Sequence, residues 1–166
     1  VDEDEVVEHE LVSGIAYSRD EAKITLVKVA DRPGVAARIF GPLADASVNV
    51  DMIVQNVSDD GKATDLTFTV TRSDLERAVD IIKQNKDDLG YQDLASDSDV
   101  VKVSVIGVGM RSHAGVAQRM FKSLADEGIN IQVISTSEIK VSVLIAEEFT
   151  ERAVRALHTV YGLDAE

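Results

Sequence analysis

The sequence has no cysteine and no tryptophan, and only 4% of its 166 residues are aromatic. Without cysteine there is no disulfide, no thiolate nucleophile and no Cys-ligated zinc. Without bulky rings, the core has to be built from Val, Ile, Leu and Ala. Positive charge is also scarce: 17 Lys and Arg stand against 30 Asp and Glu, a net charge of −13. Such a surface repels phosphate backbones and anionic lipid, so neither nucleic acid nor membrane is an expected partner. No apolar run approaches the roughly 20 residues that span a bilayer and no secretory leader is legible, so a cytoplasmic location is expected. The three His lack metal-ligand spacing on one helix face, and no nucleophile, base and orienting group fall together. Gly107-Val108-Gly109 has no third Gly at the right offset and no acidic ribose partner after it, which excludes a dinucleotide fingerprint.

What is present is a repeat. Gly34 set on Gly115 aligns Val29–Val50 with the stretch through Arg111–Ile131 without a gap. The matches are Val35/Val116, Ala36/Ala117, Arg38/Arg119, Phe40/Phe121, Leu43/Leu124, Ala44/Ala125, Asp45/Asp126 and Asn49/Asn130. Hydrophobic content of 45% over this length suits one ordinary domain or two small ones.

Residues 1–10, VDEDEVVEHE, read as a solvated acidic lead-in, and Leu11–Tyr17 as a short strand. Lys23–Val29 is β-branched and alternating, a strand; Val35, Ile39 and Leu43, with Phe40 beside them, mark one helical face. Val48–Val57 and Ala63–Val70 form a hairpin around SDDGK. Ser73-Asp74-Leu75-Glu76 has the form of a capping box opening a second helix, Leu89–Leu94 is a weaker strand, and Ala95–Asp99 a linker. The order β-α-β-β-α-β then recurs: a strand from Val100, a helix over His113–Glu127, strands in INIQVIST and IKVSVLIA, and a helix over Thr150–Thr159 capped from Phe149–Thr150. Too few residues follow Gly162 for a last strand. The spare strand Leu11–Tyr17 is expected to cross over and complete the second unit. Each unit then has a four-stranded antiparallel sheet with two helices on one face. Two such small units gain most by pairing, so a homodimer is expected.

The chemistry sits where strand meets helix. Pro33 presets a helical φ, Gly34 lets backbone approach a ligand without a side chain in the way, and the first amide hydrogens of Gly34, Val35 and Ala36 form a nest for a carboxylate. Asp31 is a counter-charge for an ammonium group, and Gln55 a partner for a polar side chain. Together they suit a free amino acid.

DRPGVAARIFGPLADASVNVDMIVQNVS, followed by KVSVIGVGMRSHAGVAQRMFKSLADEGINIQVISTSEIKVSVLI, resembles the paired ACT units of the aspartate kinase regulatory region, over Leu11 to Leu163. The resemblance implies an α+β fold of two ferredoxin-like βαββαβ units, residues 22–95 and residues 11–18 with 99–163, interleaved by the N-terminal strand. It implies feedback control by threonine, lysine or both. The threonine-type site would use Asp31, Pro33, Gly34, Val35, Ala36 and Gln55, closed by Asn130 and Ile131 of another unit. The lysine-type site would use Met110, Ser112, His113, Gly115, Val116, Thr136, Ser137 and Glu138, with Asp51 of a neighbouring unit. The second copy has Ser112-His113-Ala114 where the first has Asp31-Arg32-Pro33, so it lacks the ammonium-seeking aspartate. ATP, Mg and the phosphorylation of aspartate belong to a kinase domain whose glycine-rich loops and lysines are missing here. This chain alone is expected to be inactive, to hold no cofactor of its own, and to partner that catalytic domain or subunit. It starts at Val1 rather than Met, which favours an excised piece over a natural regulatory subunit. The alternative is a stand-alone ACT module used for protein interaction.

Overall fold

The computed structural model describes residues 12–30, 33–58, 60–107 and 114–163. They form two compact units, one from residues 20–98 and the other from the chain up to residue 19 together with the chain from residue 99 onward.

In the unit of residues 20–98, strands β2 (Ala22–Ala30), β3 (Val50–Val57), β4 (Ala63–Val70) and β5 (Asp93–Asp97) form an antiparallel sheet in the order β3-β4-β2-β5. Helices α1 (Val35–Asp45) and α2 (Leu75–Gln84) and the single turn α3 (Lys86–Leu89) supply the other layer. Register puts Ile24 opposite Phe68 and Leu26 opposite Leu66, so these four side chains share a face. Ile39 and Leu43 of α1 and Ala78 and Ile82 of α2 pack into the same cluster. The four-residue spacing of Ile39 and Leu43 is what the sequence pattern demands of one helical stripe. Phe40 meets Phe68 edge-on at 5.2 Å, one of the few ring contacts this aromatic-poor chain makes. On the opposite face of the sheet, the Thr25 and Thr67 hydroxyls lie 3.1 Å apart.

The second unit repeats this plan. Strands β1 (Val12–Ser18), β6 (Val100–Gly107), β7 (Val133–Thr136) and β8 (Lys140–Ala146) pair in the order β1-β6-β8-β7. Helices α4 (Ala114–Asp126) and α5 (Thr150–Val160) bury Met120, Leu124 and Leu157 against Val103, Val105, Val141 and Val143. β1 pairs antiparallel with β6, Ile15 opposite Val105 and Tyr17 opposite Val103. The expected crossover is therefore real: β1 takes the place in this sheet that β5 takes in the other.

Several local expectations differ from the structure. The weak strand expected at Leu89–Leu94 lies later, at Asp93–Asp97, and absorbs most of the expected linker; Leu89 instead ends α3, where Gly90 turns the chain at φ 67. Apolar Leu89 and Tyr91 are buried by helix-end packing, which mimics strand alternation. The Ser73–Glu76 capping box does not form. Arg72–Asp74 is a 3-10 turn, the α-helix begins at Leu75, and the Thr71 hydroxyl donates to the Asp74 carboxylate at 2.9 Å, two residues earlier. INIQVIST is strand only from Val133, since its first residues close the turn after α4. Likewise Glu147–Phe149 is a 3-10 turn, and Thr150 Oγ1 donates to the Glu147 carbonyl at 2.6 Å rather than capping α5.

Candidate functional site

Pro33 and Gly34 form the turn that delivers β2 to α1. Gly34 is the residue before the first helical one, in the left-handed region at φ 88 and ψ −4, and no side chain caps the helix. A Cβ built on Gly34 would meet nothing within 4 Å. No protein atom crowds the position, and the left-handed dihedral by itself favours glycine there. Pro33 likewise precedes the helix by two residues instead of standing in its first turn, so it shapes the turn and presets no helical residue. By helix geometry the first amides of α1 have no acceptor within the helix. Pro33, Gly34 and Ala36 are exposed, whereas Val35 is half-buried and packs on the first core.

Gln55 lies on β3, the edge strand of the same sheet, directly opposite Leu66. Opposed residues share a face, so Gln55 is on the helix side of the sheet with α1. It is exposed. Ile53 and Val57, two residues to either side and so on that same face, are 52% and 49% exposed, leaving an apolar strip with Gln55 at its centre.

The second unit places its counterparts on the matching helix and edge strand. Gly115 and buried Val116 lie in the first turn of α4. Thr136 ends edge strand β7 opposite Val141, and Ile134 opposite Val143 is 45% exposed. Gln55 and Thr136 occupy matching positions under the offset that aligns Gly34 with Gly115. Ser137 and exposed Glu138 form the β7–β8 turn, where the Ser137 amide donates to the Lys140 carbonyl at 2.8 Å. Tyr161, buried at the end of α5, donates its hydroxyl to the Val116 carbonyl. This ties the last helix to the start of α4.

Asn130, exposed, and Ile131, half-buried, lie on the α4–β7 connection, in the other unit from the rest of the threonine-type set. Asp51, exposed on β3, is in the other unit from the rest of the lysine-type set. Asp31, Met110, Ser112 and His113 lie outside the described residues. No group of His, Asp and Glu suited to a metal occurs among the described residues, and no helix there is long and apolar enough to cross a membrane.

One feature was hidden in the sequence. A bulge between Leu26 and Val29 puts Lys28 at φ 55, and its amide donates to the Asp65 carboxylate at 2.9 Å. Lys28, Asn56, Asp60 and Asp65 line a hollow of ≈ 530 Å³ beside it. The Ser58 hydroxyl and the Lys62 amide hold the Asp60 carboxyl below its ordinary range. KITLVKV reads as an unbroken strand, and nothing in that alternation announces the bulge.

ACT-domain family profiles match residues 23–87 and 103–161. The chain is 58% identical over 164 residues to an aspartokinase of Pseudomonas aeruginosa, and 49% identical over 163 residues to an aspartokinase of Helicobacter pylori. Those matches take in 99% and 96% of this chain but 40% and 39% of those proteins, so the chain spans about two-fifths of the length of these curated relatives. Among solved structures, it resembles a chain of the aspartokinase alpha and beta subunits with 49% identity and a TM-score of 0.85, over 91% of this chain and 99% of that one. It also resembles the ligand-free regulatory subunit of aspartate kinase from Thermus thermophilus, with 36% identity and a TM-score of 0.86, over 90% and 98% of the two chains. The repeat, the two split sheets and near-complete overlap with regulatory subunits place the chain in the aspartate kinase family, as its regulatory region of two ACT domains.

Proposed function

We propose that the chain senses free amino acids and passes their presence to an aspartate kinase catalytic domain, giving feedback inhibition by threonine, lysine or both. The observation that carries this is the α1 start: an uncapped helix terminus behind a left-handed glycine, on the same sheet face as Gln55 at an uncovered edge. The helix amides suit the effector carboxylate, Asp31 its ammonium group and Gln55 its polar side chain. Asn130 and Ile131 close this site from a second unit. The start of α4 with Met110, Ser112, His113, Gly115 and Val116 takes the lysine-type effector, together with Thr136, Ser137, Glu138 and Asp51. A ligand shifts an equilibrium only through different affinities for its two states, and sites assembled from separate units satisfy that condition. The working assembly is a homodimer in the cytoplasm. The whole protein phosphorylates L-aspartate with ATP and Mg, work done outside this chain.

The test is thermal unfolding of this chain with and without threonine or lysine. Effector at one hundred times its dissociation constant stabilises by about 2.7 kcal/mol. Calorimetry should show Gln55→Ala weakening threonine and leaving lysine unchanged. A melt indifferent to both amino acids removes the sensor reading. A second reading, an interaction module, rests on the exposed apolar edges at Ile53, Val57 and Ile134. It would be left standing if assembly proved strong and effectors silent.

A further inference from the structure

The two edge hairpins carry unlike residues at one matching position near the helix start. Register fixes where that position lies. In the first sheet Leu26, Leu66 and Gln55 form one rung, and Val29, Thr64 and Val57 form the next on the same face. Ala30 then ends β2, and the chain turns through Pro33 and Gly34 into α1. Val57 is thus one rung nearer that exit than Gln55, and it is 49% exposed. The offset that sets Gly34 on Gly115 sets Val57 on Glu138. The first hairpin closes with the Ser58 amide donating to the Ala63 carbonyl at 2.8 Å. The second closes two residues sooner, Ser137 to Lys140, so Glu138 stands at its tip. Beside it, the Ile139 carbonyl accepts from the Gly107 amide at 2.7 Å, at the end of β6. Each residue is therefore exposed near the exit of the strand that feeds its unit's first helix. One is an isopropyl group, the other a carboxylate.

We propose that Val57 is the specificity-determining residue of the α1 site, admitting threonine and turning lysine away. The inference rests on the amino-acid-sensing reading and adds to it the choice between effectors. An amino acid held by its carboxylate on the α1 amides lays its side chain past Val57 on the way to Gln55. Threonine carries a methyl and a hydroxyl on one carbon. Val57 and Gln55 offer an apolar and a polar group in succession along one face of the strand. Lysine passing the same way brings an ammonium group to two side chains that carry no charge. It sheds water there and gains no ion pair, which excludes it. In the second unit, Glu138 at the matching position supplies the missing counter-charge. Selection thus lies in one side chain and not in the helix start, which both units share.

Titration calorimetry on the whole chain tests this. Val57→Glu should weaken threonine about tenfold, the size of a lost methyl contact. It should also take up one more equivalent of lysine per chain than the parent, with lysine now displacing threonine. Val57→Gln, the same shape without the charge, should weaken threonine to a like degree and gain no lysine. Val54→Glu places the same charge on the opposite face of β3, at a residue 38% exposed, and should leave both affinities as they are. Threonine bound by Val57→Glu as tightly as by the parent, threonine lost with no lysine gained, or lysine gained equally by Val57→Gln or Val54→Glu would each overturn the proposal. Those results leave the site itself to Gln55→Ala. A parent chain blind to both amino acids removes the sensor reading, and this inference with it.

Discussion

The two units are copies of one plan that differ in how each obtains its fourth strand. The unit of residues 20–98 makes β5 from the chain that follows its helices, whereas the second unit borrows β1 from a stretch more than eighty residues before β6. The borrowed strand is no ornament: Val12 is 3% exposed within the second core, and Ile15 packs against it. The copies also close their helical layers differently. In the second, Tyr161 precedes left-handed Gly162 and bonds back to α4; in the first, buried Leu89 precedes left-handed Gly90 and offers no hydroxyl. A local strand and an apolar plug make the first unit self-contained, while the second depends on a distant segment and a polar latch.

The largest effect should come from breaking that dependence. Deleting residues 1–19 strips β6 of one of its two antiparallel partners and opens the second core beside Val105. Loss of an edge strand together with buried apolar side chains should cost more than about 4 kcal/mol, enough to leave the second unit unfolded. Amide exchange would show protection lost across β6, β7, β8, α4 and α5 and kept in β2 and β4. Equal loss in both units would mean that the first is not self-contained.

The second contrast lies in the cores. Phe68 and Val143 occupy matching places, opposite Ile53 and Ile134 of their edge strands, and both are fully buried. The first core thus holds a ring where the second holds an isopropyl group, and Phe40 leans on that ring. Phe68→Ala should cost ~3–5 kcal/mol and Val143→Ala roughly half of that. Urea denaturation of the two variants checks the ratio. A Val143 variant as damaged as the Phe68 one would show that the second core tolerates cavities less well.

How far the sequence showed all this differs by level. The gapless repeat through Val35/Val116 and Leu43/Leu124, and the shortfall after Gly162, were enough to foresee two split sheets and a crossing strand, because apolar period and chain length survive in the text of a sequence. Helix starts did not survive as well. Ser73–Glu76 and Thr71–Asp74 both present capping side chains, and only tertiary packing selects the second. The bulge at Lys28 was invisible, since its partner Asp65 lies 37 residues away. At the candidate site the residue types were legible but the cause was not. Pro33-Gly34 announces a turn, but nothing in those two letters says that Gly34 takes a left-handed φ of 88.

That dihedral separates the two aligned glycines. Gly34 sits at φ 88 before its helix; Gly115 lies inside the first turn of α4 and is not among the residues of positive φ. Gly34→Ala should destabilise the first unit by about 1–2 kcal/mol, the cost of a left-handed L-residue. Gly115→Ala should stabilise the second unit by roughly 0.5–1 kcal/mol, because alanine is the better helix former. Unit-resolved melts followed by NMR read both. The same sign for the two variants would mean that the helix starts are more alike than their dihedrals.

The smallest contrast is at the exits of the same helices. The aligned residues here are Ser47 and Gly128, both left-handed, at φ 62 and φ 73. Each is followed by a residue whose amide returns to a leucine of the helix, Val48 to Leu43 and Ile129 to Leu124, both at 2.9 Å. The second unit uses the residue the geometry favours, and the first strains a serine into the same shape. Ser47→Gly relieves that strain but gains unfolded-chain entropy, two effects of about 1 kcal/mol that oppose each other. Strain is the larger for a side chain with a Cβ, so the net should be a gain of ~0.5 kcal/mol, seen as a small rise in the denaturation midpoint with unchanged slope. A fall in the midpoint would mean that the serine makes a local bond which outweighs its strained backbone, and the two exits would then be alike in shape but held by different forces.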